Sequence, residues 1–128
     1  MEKKANNEDK IMWKVMIVDD EKLICKLVQA LVEWDKLGMQ MAAQAENAIQ
    51  ALDMLQQYRP DILITDIRMP GMDGLELIKN AKKICPELEI IIISGYAHFE
   101  YARNALSLGV GNYLLKPIKQ DELNETLR

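Results

Sequence analysis

A single histidine, His98, and two cysteines, Cys25 and Cys85, are all that this 128-residue chain offers of the softer metal ligands. The cysteines stand apart in helical or near-helical patterns, with no histidine or second cysteine at metal-ligand spacing, so a zinc site is excluded and a reducing compartment is indicated. His98 falls where a helix is expected to begin, with no second ligand beside it, and reads as a surface or capping residue rather than a phosphate carrier. Excess positive charge is also missing. Sixteen Lys and Arg against 20 Asp and Glu give a net charge of -4, which leaves no basic patch for a phosphate backbone and excludes nucleic-acid binding by this stretch alone. Long apolar runs are absent as well, the longest being about one strand in length, which rules out a membrane span and a signal-peptide core. A cytoplasmic location is expected.

What is present fits one globular domain, with 49% hydrophobic and 28% charged residues and enough length to bury a core. The opening MEKKANNEDK has no apolar residue beyond Met1 and Ala5, so residues 1–10 read as a disordered extension and 11–128 as the domain. From Trp13 onward, short β-rich runs alternate with helical periodicity. KVMIV is a strand, followed by a helix with Leu23, Ile24, Leu27, Val28, Leu31 and Val32 on one face and Gly38 closing the region. MQMAAQA is a weaker second strand, and Asn47 caps a helix carrying Ala48, Ala51, Leu52 and Leu55 that Pro60 stops. DILIT, a helix from Gly74 to Ile84, EIIII, a helix over 98–108, NYLLK and a last helix beginning near Asp121 complete the pattern. Strands alternating with helices mean βα units and a parallel sheet. Runs such as IIII and ILI, apolar on both faces, require helices on both sides. The fold class is therefore α/β, a three-layer sandwich.

In such a sheet the carboxyl ends of the strands gather on one edge, where ligands bind. The first strand ends in Asp19-Asp20-Glu21, the third in Asp66, the fourth in Ser94-Gly95 and the fifth in Lys116-Pro117. Converging carboxylates repel by about 4 kcal/mol per pair near 4 Å at an effective dielectric of roughly 20. A cation should offset this, and an all-oxygen set favours Mg²⁺, with Lys116 as a second positive charge. Taken singly, Asp20 could cap a helix, Asp66 and Ser94 could be turn residues and Lys116 could be solvated. Those readings leave their coincidence on one edge unexplained. Both tryptophans, by contrast, are expected on the far edge, Trp13 before the first strand and Trp34 at the end of the first helix.

The stretches MIVDDE, LITDIRMPGMDGLELI and IIISGYAHFEYARNALSLGVGNYLLKPI closely resemble the phosphoacceptor receiver domains of bacterial two-component response regulators, over roughly residues 12 to 128. The resemblance implies a five-stranded sheet of order 2-1-3-4-5. It further implies Asp66 as the phosphoacceptor, Mg²⁺ held by Asp19, Asp20, Asp66 and the carbonyl of Arg68, Ser94 and Lys116 gripping the phosphoryl oxygens, and Tyr113 as an aromatic switch moved through Ser94. A cis Lys116-Pro117 peptide is implied too. So is a long-lived phosphoryl group, because Arg68 and Tyr96 are large where hydrolytic water would enter. The implied partner is a sensor histidine kinase, with a possible homodimer through the helix over 98–108, the fifth strand and the last helix. On this reading the chain catalyses only its own phosphorylation and dephosphorylation.

Other readings of the same residues are weaker. A haloacid-dehalogenase-type phosphatase also uses a strand-end aspartate, but its second acid would fall two residues on, where Arg68 stands. A flavodoxin-like nucleotide carrier needs a glycine- or hydroxyl-rich loop after the first strand, and Asp19-Asp20-Glu21 would repel phosphate. A stand-alone receiver acting through protein contacts remains an alternative. The tail SGYAHFEYARNALSLGVGNYLLKPI and the WDKLGM segment look like receivers attached to AraC-type helix-turn-helix domains. DNA would then be touched only by an output domain following residue 128. Tyr101, Ala105 and Leu108 widen the apolar front of Phe99, Ala102 and Leu106, either as core or as a partner surface, and Met69 and Met72 read as core or loop filler.

Overall fold

The computed structural model describes residues 12–67, 69, 74–95 and 110–127. The expected helix over 98–108, His98, Tyr96, Arg68 and Met72 lie outside the described residues, as does the extension at 1–10. Five strands, β1 (Trp13–Val18), β2 (Met39–Ala45), β3 (Ile62–Asp66), β4 (Glu89–Ser94) and β5 (Asn112–Leu115), form one sheet. They run parallel in the order β2-β1-β3-β4-β5. The described helices are α1 (Lys22–Leu31), α2 (Trp34–Leu37), α3 (Ala48–Tyr58), α4 (Gly74–Ile84) and α5 (Gln120–Leu127).

The period of two along each strand sorts the core into two layers. Met16, Val18, Leu63, Ile90 and Ile92 turn to α3 and α4, meeting Ala51, Leu55, Leu77 and Ile78. Val15, Ile17, Ile64, Ile91 and Ile93 turn the other way, to Cys25 and Val28 of α1 and Leu123 and Leu127 of α5. Both faces being covered explains why β3 and most of β4 read as unbroken apolar runs. The edge strand β2 slips register where Val15/Met16 face Met41/Ala43, so Ala42 is a bulge residue.

Local chemistry sets several boundaries as expected. Asn47 caps α3 by accepting from the Gln50 N–H at 2.8 Å. That helix ends at Arg59 in the left-handed region, just before the buried Pro60. The first helical region differs from expectation. It breaks at Val32, whose backbone is extended, and a separate turn, α2, runs to Gly38 in the left-handed conformation. Trp34 therefore begins a helix rather than ending one. Its indole Nε1 donates to Gln29 O at 2.9 Å, and it joins Trp13 against the second core layer. The buried stripe of α1 is also narrower than its leucines suggest. Cys25 and Val28 are buried with Ile24 and Leu31 beside them, whereas Leu23 is 77% and Leu27 39% exposed. A helix resting on one sheet face buries a stripe centred on positions 24, 25 and 28, and 23 and 27 fall off its edge.

Candidate functional site

The acidic edge forms from strand ends whose register fixes their heights. Asp19 follows β1, tied to its neighbour by Asp19 N–H to Ala45 O at 3.1 Å. Asp66 is the last residue of β3, Ser94 the last of β4, and Lys116 follows β5 with its N–H on Ser94 O at 2.8 Å. Carboxylate oxygens of Asp19, Asp20 and Asp66 lie within 4.8 Å of one another. Asp19 and Asp66 are buried and Asp20 is exposed, so the cluster opens to solvent on one side.

Hydrogen bonds hold the buried acids. Asp19 Oδ1 accepts from Glu21 N–H at 2.9 Å, and Asp66 Oδ1 from Ile67 N–H at 2.8 Å. Thr65 Oγ1 donates to Asp66 O, and Cys25 Sγ lies 3.8 Å from Asp19 O beneath the cluster. Lys116 Nζ reaches into the group, 3.7 Å from Asp19 Oδ2, 3.7 Å from Asp66 Oδ2 and 3.9 Å from Glu21 Oε1. Burial pushes Asp19 up to about 6. The Asp66 and Asp20 charges add to the rise, while the Glu21 N–H and Lys116 oppose it. A carboxyl raised by burial and like charge, in a set of oxygens only, is a place where a divalent cation fits. Ser94 Oγ is buried with no hydrogen-bond partner among the described residues. Such an orphan points to a ligand supplied from outside.

The structure thus brings together Asp19, Asp20, Asp66, Ser94 and Lys116, as the strand ends predicted. Tyr113 lies half-buried on β5, opposite Ile92. The Lys116-Pro117 peptide is cis. The carbonyl of Arg68 lies outside the described residues.

Two contributors lie outside the assigned site residues. Glu21, on this edge as the last of the Asp19-Asp20-Glu21 run, comes within 3.9 Å of Lys116. Gly74 opens α4 against the exit of β3, its N–H on Ile67 O at 2.8 Å. A Cβ there would stand 2.7 Å from Asp66 O and Ile67 Cα. The far edge is different in kind: a cavity of about 760 Å³ lined by Trp13, Leu37, Met39, Ile62 and Glu89 among others lies at the strand starts.

The family described as response regulator receiver domain matches residues 15–128. The chain belongs to that family. It is a receiver domain of the two-component response regulators, the phosphorylation-operated signalling switch. Among curated relatives, the uncharacterized transcriptional regulatory protein YesN of Bacillus subtilis is 40% identical over 116 residues, covering 91% of this chain and 32% of that protein. The transcriptional regulatory protein HptR of Staphylococcus aureus is 34% identical over 116 residues, covering 91% of this chain and 45% of that protein. The chain thus spans less than half the length of these relatives. Among solved structures, the receiver domain of AraT, a response regulator from Geobacillus stearothermophilus, has TM-score 0.86 at 40% identity over 90% of this chain and 89% of that one. A two-component transcriptional regulator AraC from Clostridium phytofermentans has TM-score 0.80 at 35% identity, covering 90% of this chain and 92% of that one.

Proposed function

We propose that this receiver accepts a phosphoryl group on Asp66 from a sensor histidine kinase and thereby controls a transcription regulator of which it is the input domain. The observation that carries the site assignment is the pairing of Asp66 with Lys116 at 3.7 Å beside the buried, unpartnered hydroxyl of Ser94. A carboxylate oxygen of Asp66 attacks phosphorus in line. The bond from phosphorus to the donor imidazole nitrogen breaks, and its electron pair leaves with that nitrogen, which takes up a proton. The strand holds the nucleophile still, so little entropy remains to be lost at the transition state. Lys116 compensates charge on the phosphoryl oxygens, and Ser94 Oγ donates to one of them. Asp19, Asp20 and Asp66, with the carbonyl of Arg68, are the groups that would hold Mg²⁺, which when bound supplies further neutralisation of phosphoryl charge.

Exposed Leu23 and Leu27 on α1, which starts at the rim of the site, offer a protein donor an apolar seat. A depression of about 410 Å³ lined by Tyr113, Leu115, Lys116, Pro117, Lys119 and Glu122 adjoins the β5 and α5 face proposed for a homodimer or output contact. The net charge of -4 favours an output domain over this one for any DNA contact. Among the described residues no helix is long and apolar enough to cross a membrane. Both cysteines are free thiols, in keeping with a cytoplasmic site of action.

Incubation with acetyl phosphate and Mg²⁺, read by intact mass, tests the assignment. The wild type should gain one phosphoryl group and Asp66→Asn none, because the amide is a poor nucleophile. Labelling retained in the variant would overturn it.

A further inference from the structure

Glu21 occupies the N-cap position of α1, with φ -96° and ψ 109°, yet its side chain makes no capping hydrogen bond. Glutamate is a poor residue for that position, where Ser, Thr, Asp or Asn would satisfy a free N–H of the first turn. The backbone N–H of Glu21 is committed to Asp19 Oδ1. Its carboxylate instead extends to Lys116 Nζ, 3.9 Å away, while remaining 64% exposed at the mouth of the site. The neighbouring cation, Lys22, does not offset this charge locally, because it is paired with Glu46 at 3.2 Å. One ammonium is therefore shared by three carboxylates: two belong to the buried cluster and the third is exposed at its rim.

We infer that Glu21 determines donor preference at the acceptor site by competing with the incoming phosphoryl group for Lys116 and repelling donors in proportion to their negative charge. The inference rests on Asp66 being the acceptor. A phosphoryl group approaching Asp66 must take Lys116 over from Glu21 and then sit beside the displaced carboxylate. Both effects grow with the donor's charge and shrink with salt. Glu21 is a specificity-determining residue here, not a nucleophile or a proton carrier.

The test compares wild type with Glu21→Gln, which keeps the length and removes the charge, at saturating Mg²⁺ so that altered metal affinity does not enter. Acetyl phosphate, a dianion near neutral pH, is set against phosphoramidate, which carries a net single negative charge. The variant should react with acetyl phosphate roughly three- to tenfold faster per unit donor concentration, with a smaller gain for phosphoramidate, and the difference should close in high salt. A beryllofluoride titration followed at the Lys116 amide by NMR should likewise show tighter binding by the variant. Equal rates in the two proteins, or the same gain with both donors, would overturn the inference. If neither protein is labelled by either donor, the assignment of Asp66 itself fails and this inference falls with it.

Discussion

Lys116 Nζ stands 3.7 Å from Asp66 Oδ2, the two side chains arriving from the ends of strands that are not neighbours in the sheet. Because the same ammonium lies 3.7 Å from Asp19, removing it leaves the buried acids without their only nearby cation among the described residues. Lys116→Met should therefore lose on the order of 1–3 kcal/mol of stability in the absence of divalent cations. Mg²⁺ should restore most of the loss. Urea unfolding with EDTA and then with Mg²⁺ checks both halves, and a variant as stable as wild type in EDTA would contradict the compensation argument.

The raised Asp19 carboxyl gives the metal-free protein a defined pH response. Its ordinary value is 3.8 and burial lifts it to about 6. Between roughly pH 4 and 6 the folded chain holds a proton that the unfolded chain has released. The contribution of Asp19 to stability is then fully present below that window and is lost as pH rises through it. Asp19→Asn should flatten this part of the profile. Mg²⁺ needs the deprotonated carboxylate, so its affinity should weaken as pH drops below about 6. Denaturation midpoints against pH, in EDTA, decide the first point, since profiles of equal slope would remove Asp19 as the cause. Calorimetric titration at two pH values decides the second.

A third prediction concerns the glycine under the acceptor. A Cβ on Gly74 would lie 2.7 Å from Asp66 O and 2.8 Å from Ile67 O, backbone atoms that have no rotamer by which to yield. Gly74→Ala must push α4 away from β3 or tilt the end of β3. We expect a cost of about 1–3 kcal/mol together with slower phosphorylation of Asp66. An unchanged thermal midpoint would show that the helix start gives way freely.

Most of the fold was legible because its signals are local. Short apolar, β-rich runs marked the strands, unbroken in β3 and β4 and weakest in β2, Asn47 and Pro60 marked the limits of α3, and parallel βα alternation placed the polar strand ends together. What escaped depends on distant partners. The four residues of α2 are too short to show periodicity. The link that leads into them is held by Asn124 of α5, whose Oδ1 accepts from Glu33 N–H and whose Nδ2 donates to Leu31 O, both at 2.8 Å. No local pattern around Trp34 encodes a helix contact so remote in sequence. The exposure of Leu23 and Leu27 was hidden for a related reason: an apolar residue fits the helical period whether or not a neighbour covers it. At the site, residue types announced Asp19, Asp66 and Lys116, whereas the roles of Glu21 and Gly74 follow from distances that only the folded chain has.

The orphaned hydroxyl of Ser94 separates two roles that a buried serine can have. If it served the resting fold, its removal would be destabilising. Its Oγ is buried without a partner among the described residues, so Ser94→Ala should be neutral or should stabilise the unphosphorylated protein by up to about 1 kcal/mol, since an unsatisfied polar atom is lost. The same change should weaken the response to phosphorylation. On the proposed mechanism, phosphoryl oxygens would give Ser94 and Lys116 of the wild type charge-assisted bonds worth roughly 1.5–3 kcal/mol each. Two of these approach the roughly 5.5 kcal/mol that carries a population from 1:99 to 99:1. On the proposed mechanism, drawing Ser94 toward the phosphoryl group would open space at the end of β4, next to the strand that carries Tyr113, and the ring would turn into it. Ser94→Ala should still be phosphorylated on Asp66 yet show small changes at Tyr113. NMR shifts of Tyr113 and its β5 neighbours, with and without beryllofluoride, compare the two proteins directly. Shifts in the variant equal to those of the wild type would mean that the hydroxyl does not link Asp66 to that surface.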